Sequence, residues 1–426
     1  MTRRTWYGLT AGLALAAGLS LAARGQVPGP ADRPMTLGEA RARALEQGPE
    51  LRAAAAGLAA AEGALKQARA LPNPDLALEV EDFGGNLPTD APAQGTLSVG
   101  ERVEWFGKRS ARVEAARLER EVAAADLARR RRDLLREVDR RYAALAGAQE
   151  RLAIAEESRA TAREVRETVT ALVAAGEASP IEATRAAGDE ALAGIDRDAA
   201  DRDAAEAARA LARLWGEPDG PLPRVAGPVA GNLAIPGRDG ALERLAGLPD
   251  LARWDAELAR RAALETLARR QPLPDLTLSA GARSYRGTGE HAWVAGLSLP
   301  LPLLTGYSGA RAEASSRLEE ARQERRAEEA RLRASLLDAL RSAESARDEV
   351  RALDGTVLPN ATLVYDALGE GYRRGKFRLL DLLEARRNLA AVRVRAIDAR
   401  TRLALALADV RRLSPDEPLD DTRGPE

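Results

Sequence analysis

The sequence predicts a mainly α fold: long antiparallel coiled-coil helices, in the manner of an α-barrel, carrying two β-hairpins per chain. Three observations predict it. They are an internal repeat offset by 200 residues, helical stretches too long for a globular core, and paired runs with strand alternation. Composition agrees. Aromatics make up 3% of the chain, and Ala, Arg, Leu and Glu, which lose little rotamer freedom in a helix, dominate.

The repeat sets the plan. Pro49-Glu50-Leu51 matches Pro249-Asp250-Leu251, and Pro72, Pro74, Asp75, Leu76 and Leu78 match Pro272, Pro274, Asp275, Leu276 and Leu278. Arg117-Leu118-Glu119 matches Arg317-Leu318-Glu319, and Gly176 matches Gly375 after a one-residue slip. Prolines and glycines in register mark a duplication rather than shared bias. The expected organisation is a signal peptide over 1–23, an extended segment over 24–35 and a first repeat over 36–216. An irregular linker over 217–248, a second repeat over 249–413 and a flexible tail over 414–426 follow.

The leader has a positive start at Arg3 and Arg4, an apolar run from Gly8 to Ala23, and small residues Ser20, Ala22 and Ala23 suited to cleavage. Thr36 and Glu39 then form a capping-box pattern that opens a helix running to about Leu71, where Pro72-Asn73-Pro74 stops it. Asp75–Asp82 alternates, with Leu76, Leu78 and Val80 on one face, and Thr96–Glu104 alternates likewise. The second copy places strands at Asp275–Arg283 and Ala292–Leu301, with His291 in the loop between them. After each hairpin comes a long helix. Ser110–Ala174 contains no proline and spans about 100 Å, and Val138, Tyr142, Leu145, Gln149 and Leu152 follow a coiled-coil seam. Leu332, Leu336, Leu340 and Ala343 repeat that seam. A returning helix from Pro180 to about Trp215, stacked end to end on Thr36–Leu71, has the length to lie beside one long helix. At the turns, Gly176 and Gly375 suit a left-handed helix end, and Ser179-Pro180-Ile181-Glu182 supplies an N-cap, Pro at N1 and Glu at N3.

Each strand has about the length that crosses a bilayer when tilted. Phe83, Tyr285 and Trp293 sit towards the loop ends, while Trp105, Phe106 and Tyr307 sit at the helix-proximal ends. Half of the aromatics beyond the leader are therefore placed as two interfacial belts would require. Four strands cannot close a barrel, and an open edge cannot persist in lipid, so the barrel must be shared; two chains would give eight strands and three would give twelve.

Other classes fit less well. Lys+Arg at 64 and Asp+Glu at 65 interleave without a basic block, which argues against nucleic acid. With no Cys, one His and two Met, there is no thiolate metal site, no soft-metal cluster and no lipid-accepting Cys. No catalytic pairing or phosphate-cradling glycine loop is present, so neither an enzyme nor a cofactor is expected. A periplasmic coiled-coil scaffold without a pore is the alternative, but it leaves the bilayer-length hairpins unexplained.

The segments Leu71-Pro72-Asn73-Pro74-Asp75-Leu76, Trp105-Phe106-Gly107-Lys108-Arg109, Tyr372-Arg373-Arg374-Gly375-Lys376-Phe377 and Leu379-Leu380-Asp381-Leu382-Leu383-Glu384-Ala385 resemble the TolC family of outer membrane efflux proteins. The first two are similar to its CzcC-like heavy-metal branch. The resemblance covers about Thr36 to Leu413. It implies a homotrimer with a twelve-stranded barrel in outer-membrane lipid and a helical barrel across the periplasm. It further implies a passive conduit that docks to a periplasmic adaptor and an inner-membrane pump, with heavy-metal cations as the branch's cargo. Tyr372, Asp381 and Glu384, with Glu182 in the first copy, match the family's periplasmic gate; from the residues alone, Glu182 also reads as a helix-capping glutamate and Asp381 and Glu384 as part of an ordinary solvated face. Gly176, Ser179, Gly375 and Leu379 match its adaptor-docking tips. Phe377 stands where the family has a polar partner for the tip acid.

Overall fold

The computed structural model describes residues 33–83, 93–227, 234–303 and 306–414. The expected leader, residues 24–32 of the segment that follows it, the tail beyond Ser414 and most of the first hairpin loop lie outside those residues. Thr36 caps the first helix, α1 (Leu37–Gln47), with the full reciprocal box: Glu39 N–H donates to the Thr36 hydroxyl, and Thr36 N–H donates to the Glu39 carboxylate. The single helix expected to run to Leu71 is instead broken at Gly48, and α2 covers Pro49–Arg69. Proline disfavours helical geometry in the residue before it, and Gly48 accordingly sits at φ −57°, ψ 118°. Leu248 before Pro249 repeats the break (φ −71°, ψ 140°) between α5 (Arg238–Leu245) and α6 (Pro249–Arg270). The stretch read as an irregular linker to residue 248 therefore contains α5, the second copy's counterpart of α1.

Between these helices lie β1 (Asp75–Glu81), β2 (Gln94–Val103), α3 (Lys108–Ala174) and α4 (Pro180–Ala212), the last ending in a 3-10 turn through Trp215. The second copy continues with β3 (Leu276–Tyr285), β4 (His291–Ser298), α7 (Ser308–Ala352), α8 (Leu358–Arg373) and α9 (Leu379–Leu413). The strands form one antiparallel sheet in the order β1-β2-β3-β4. His291 starts β4, opposite Ser284, and is not a loop residue as expected: the ladder between β3 and β4 extends to its backbone.

α3 is the spine. α1, α2, α4, α6 and α9 all pack on it, while α7 lies against α6 and α9, and α8 chiefly along α9. A helix of 67 residues has too little intrinsic stability to stand alone and is held by such lateral burial. Where α1 and the end of α4 meet on α3, Ala40, Ala44, Leu134, Val138, Leu211 and Trp215 form a buried cluster. The Tyr142 hydroxyl donates to the Ala226 carbonyl there at 2.8 Å, and Met35 bridges to Val225. The second copy builds its own cluster from Ala241, Leu248, Leu251, Leu336, Val410 and Leu413. The pairing Arg412–Asp250 (2.8 Å) is buried beside it.

Unlike α3, the second copy's long helix is interrupted. A π-helical turn spans Leu353–Val357 between α7 and α8. Pro359 lacks the N–H that would bond to the Gly355 carbonyl and its ring crowds that carbonyl, a local reason for the helix to depart from α geometry.

Candidate functional site: the sheet and the helical tips

The strand register separates the sheet's two faces, because directly paired residues point the same way. Leu76, Val99, Ala280 and Ala295 lie in one row, and Leu78, Leu97, Ala282 and Trp293 in the next. This face is apolar and open: Leu76 and Leu78 are each 71% exposed and Trp293 is 92% exposed. Such exposure would cost each large side chain its burial free energy in water, and it is favourable only against lipid or another apolar surface.

The opposite face is polar. Glu79, Thr96 and Arg283 share a row, followed by Glu81, Gln94 and Tyr285. The Arg283 guanidinium spans three strands, donating to the Thr96 hydroxyl at 2.9 Å and Gln94 at 3.1 Å and pairing with Glu81 at 3.1 Å. Tyr285 therefore belongs to the polar face, and its expected place in an outward aromatic belt is corrected by the register. Phe83 and Trp293 at the loop end, and Trp105, Phe106 and Tyr307 at the helix end, remain exposed. Both β1 and β4 have one edge without a partner strand among the described residues.

Among the described residues three non-glycine residues have positive φ: Asp82 just after β1, Phe106 between β2 and α3, and Tyr307 immediately before α7. Phe106 and Gly107 form the knuckle from β2 into α3. Here Lys108 is buried against Asp275 at 3.0 Å, and Arg112 pairs with Glu104. Among the described residues no helix is long and apolar enough to cross a membrane.

At the far end, α3 turns into α4 and α8 into α9. Gly176 (φ 79°) and Gly375 (φ 67°) adopt the left-handed conformation expected of them. The Ser179 hydroxyl accepts from Ile181 N–H at 3.3 Å and caps α4, with Pro180 at N1 and Glu182 in the first turn. The two turns are joined by a core of Val169, Ala186, Leu379 and Leu383, with Tyr372 packed on it. Leu379 is thus only 4% exposed, and its expected presentation to a partner is corrected. Positions 379 and 383 are one turn apart on α9, and both face this core.

The four expected gate residues occupy this end, but in different states. Burial raises the Tyr372 phenol pKa, and the nearby Glu182 carboxylate adds to that rise. Asp381 accepts from Arg378 N–H at 3.1 Å and pairs with the Arg378 guanidinium at 3.2 Å, which holds its carboxyl below the usual range. Glu384 is exposed. The Phe377 ring lies over Gly371, where a Cβ would collide with it.

Sequence reasoning missed the ion pairs above the tip. Asp189 on α4 is 3% exposed and bonded by both Arg386 and Arg387 of α9, and Arg386 also donates to the Ser158 carbonyl at 2.8 Å. The adjacent arginines were a signal only in retrospect, because their partner lies 197 residues away. Among the described residues no group of three or more His, Cys, Asp or Glu is placed to hold a metal ion.

A family model described as outer membrane efflux protein matches residues 40–217 and 243–414. The chain is 33% identical over 368 residues to the cobalt-zinc-cadmium resistance protein CzcC of Cupriavidus metallidurans, covering 86% of this chain and 87% of that one. The Campylobacter jejuni CmeC outer membrane channel superposes with a TM-score of 0.77 at 18% identity, covering 90% of this chain and 87% of that one. The open state of the Neisseria gonorrhoeae MtrE outer membrane channel superposes at 0.75 with 20% identity, covering 88% of both chains.

Proposed function

The chain belongs to the outer membrane efflux protein family, and from that premise we propose that three copies close one channel through the outer membrane and across the periplasm. It is a channel component of the outer membrane, not a soluble scaffold. The observation that carries the shared barrel is the sheet: an exposed apolar face on a four-stranded ribbon whose two outer edges have no partner strand among the described residues, while membership of the family supports three copies rather than two. Unpaired backbone groups in hydrocarbon cost several kcal/mol each, and closure of β1 of one copy on β4 of the next removes them. The polar face with Glu79, Glu81 and Arg283 then lines the lumen.

In this reading the tips at Gly176 and Gly375 meet a periplasmic adaptor that joins the channel to an inner-membrane pump. Tyr372, Glu182, Asp381 and Glu384 line the narrow mouth. The cargo is heavy-metal cations, supported by the likeness to CzcC over most of both chains. A conduit needs no resident metal site, since conduction favours weak, transient contact. The chain has no cysteine, so cysteines introduced on β1 and β4 can be cross-linked without background. Oxidation in mild detergent is expected to yield a ladder that stops at three copies. A product that never exceeds one copy overturns the shared barrel.

A further inference from the structure

We infer that the knuckle between β2 and α3 is a binding surface for the phosphate headgroups of membrane phospholipid. The inference rests on the channel reading above, which places the apolar sheet face in lipid, and it assigns a specific lipid contact to one end of that face. Trp105 and Phe106, each 55% exposed, follow directly on β2. Phe106 holds its position at φ 60°, a left-handed conformation that is strained for a residue bearing a Cβ. Water offers nothing to offset that strain for an exposed phenyl ring, whereas the interfacial region of a bilayer does.

Two guanidinium groups are anchored at this knuckle. Arg109 donates to the Arg69 carbonyl at 2.5 Å, and Arg270 donates to the Gly107 carbonyl at 2.6 Å and the Ser110 hydroxyl at 3.2 Å. Each is held in place through a few of its five N–H groups, leaving the others to bind. Glu104 is engaged by Arg112 and Asp275 by Lys108, and Glu101, exposed near the end of β2, is the carboxylate left to set against the cations. Arg109, Arg270, Arg69 and Lys66 have no carboxylate partner among the described residues. The first turn of α3 also contains no acid, so Lys108 and Arg109 face the positive end of its dipole. This excess of positive charge, prearranged and continuous with an apolar face, complements a phosphodiester on acyl chains. Guanidinium recognises phosphate by charge-assisted, geometrically matched bonds.

Native mass spectrometry of the full chain in a neutral detergent tests this, with dioleoyl phosphatidylglycerol as probe. Dioleoylglycerol, which has the same acyl chains without phosphate, and inorganic phosphate serve as controls. Phosphatidylglycerol is expected to be retained about tenfold more than dioleoylglycerol and to resist competition by inorganic phosphate. Arg109→Gln with Arg270→Gln should abolish that preference. Because those arginines also bond to backbone, Phe106→Gly provides a second variant: glycine relieves the positive φ, so the fold is kept while retention falls. Equal retention of the two lipids, displacement by inorganic phosphate, or unchanged retention in both variants overturns the inference while leaving the channel intact. A chain that does not enter lipid bilayers at all overturns the channel reading together with it.

Discussion

At the residue scale, the two acids of the second tip separate by what surrounds them. Asp381 is engaged by the Arg378 backbone and guanidinium at the start of α9, whereas Glu384, one residue short of a full turn further on, is exposed. Asp381→Ala is expected to fray the first turn of α9 in hydrogen exchange, with a modest effect on current in planar bilayers. Glu384→Ala should weaken cation preference with the helix intact, and equal currents from both variants would remove Glu384 from the mouth. The lowered pKa of Asp381 gives its cap a direction with pH. The cap's stabilisation is complete above the ordinary carboxylate range, and is lost as pH falls through the lower folded value. The cap at Thr36, the left-handed glycines 176 and 375 and the Ser179-Pro180 start were all legible in the sequence, because each depends on neighbours within a few residues. The side of the sheet that Tyr285 occupies was not, because it depends on pairing with a strand from the other repeat.

At the element scale, the hairpins α3–α4 and α8–α9 are joined by the tip core and, above it, by Asp189. That carboxylate is surrounded by protein, and Arg386 beside it is 10% exposed in its side chain, while Arg387 is 59% exposed. Removing one partner of a buried pair leaves the other charge uncompensated, at a cost of about 3–5 kcal/mol. A pairing made from an exposed side chain contributes about 0–1 kcal/mol. Asp189→Ala should therefore lower the melting temperature of the helical signal far more than Arg387→Gln. Similar melting of the two would mean that Asp189 is not a structural clamp. The breaks at Gly48-Pro49 and Leu248-Pro249 belong to this scale too. Proline after each was visible in the repeat, and its effect on the preceding residue, rather than the helical period on either side, decides where α1 and α5 end.

At the scale of the whole molecule, the duplication makes two similar helix–hairpin–helix units serve different positions around one spine. The copies are not interchangeable. The first long helix is continuous over 67 residues, while the second is divided at Leu353–Val357. The second tip carries exposed Arg373, Arg374, Lys376 and Arg378, whereas the first carries Glu177. If heavy-metal cations are the cargo, loss of this chain should reduce the host's tolerance to zinc, cobalt and cadmium several-fold. Complementation by the full-length chain should restore it. Unchanged growth inhibition by all three metals would reject that cargo while leaving an efflux channel for other substrates.

The sequence by itself determined the repeat, the order of helices and strands, the helix caps and the alternation that makes one face of each strand apolar. These follow from backbone geometry and side-chain spacing inside single elements, which a linear pattern records. Only the tertiary structure decided that the two hairpins join as one sheet, that Tyr285 faces away from Trp293, that Leu379 is interior, and that Asp189 meets Arg386 and Arg387. The physical reason is that strand register and interhelical ion pairs are fixed by residues about 200 positions apart, where the closest packing available to the folded chain, rather than any local preference, selects the partner.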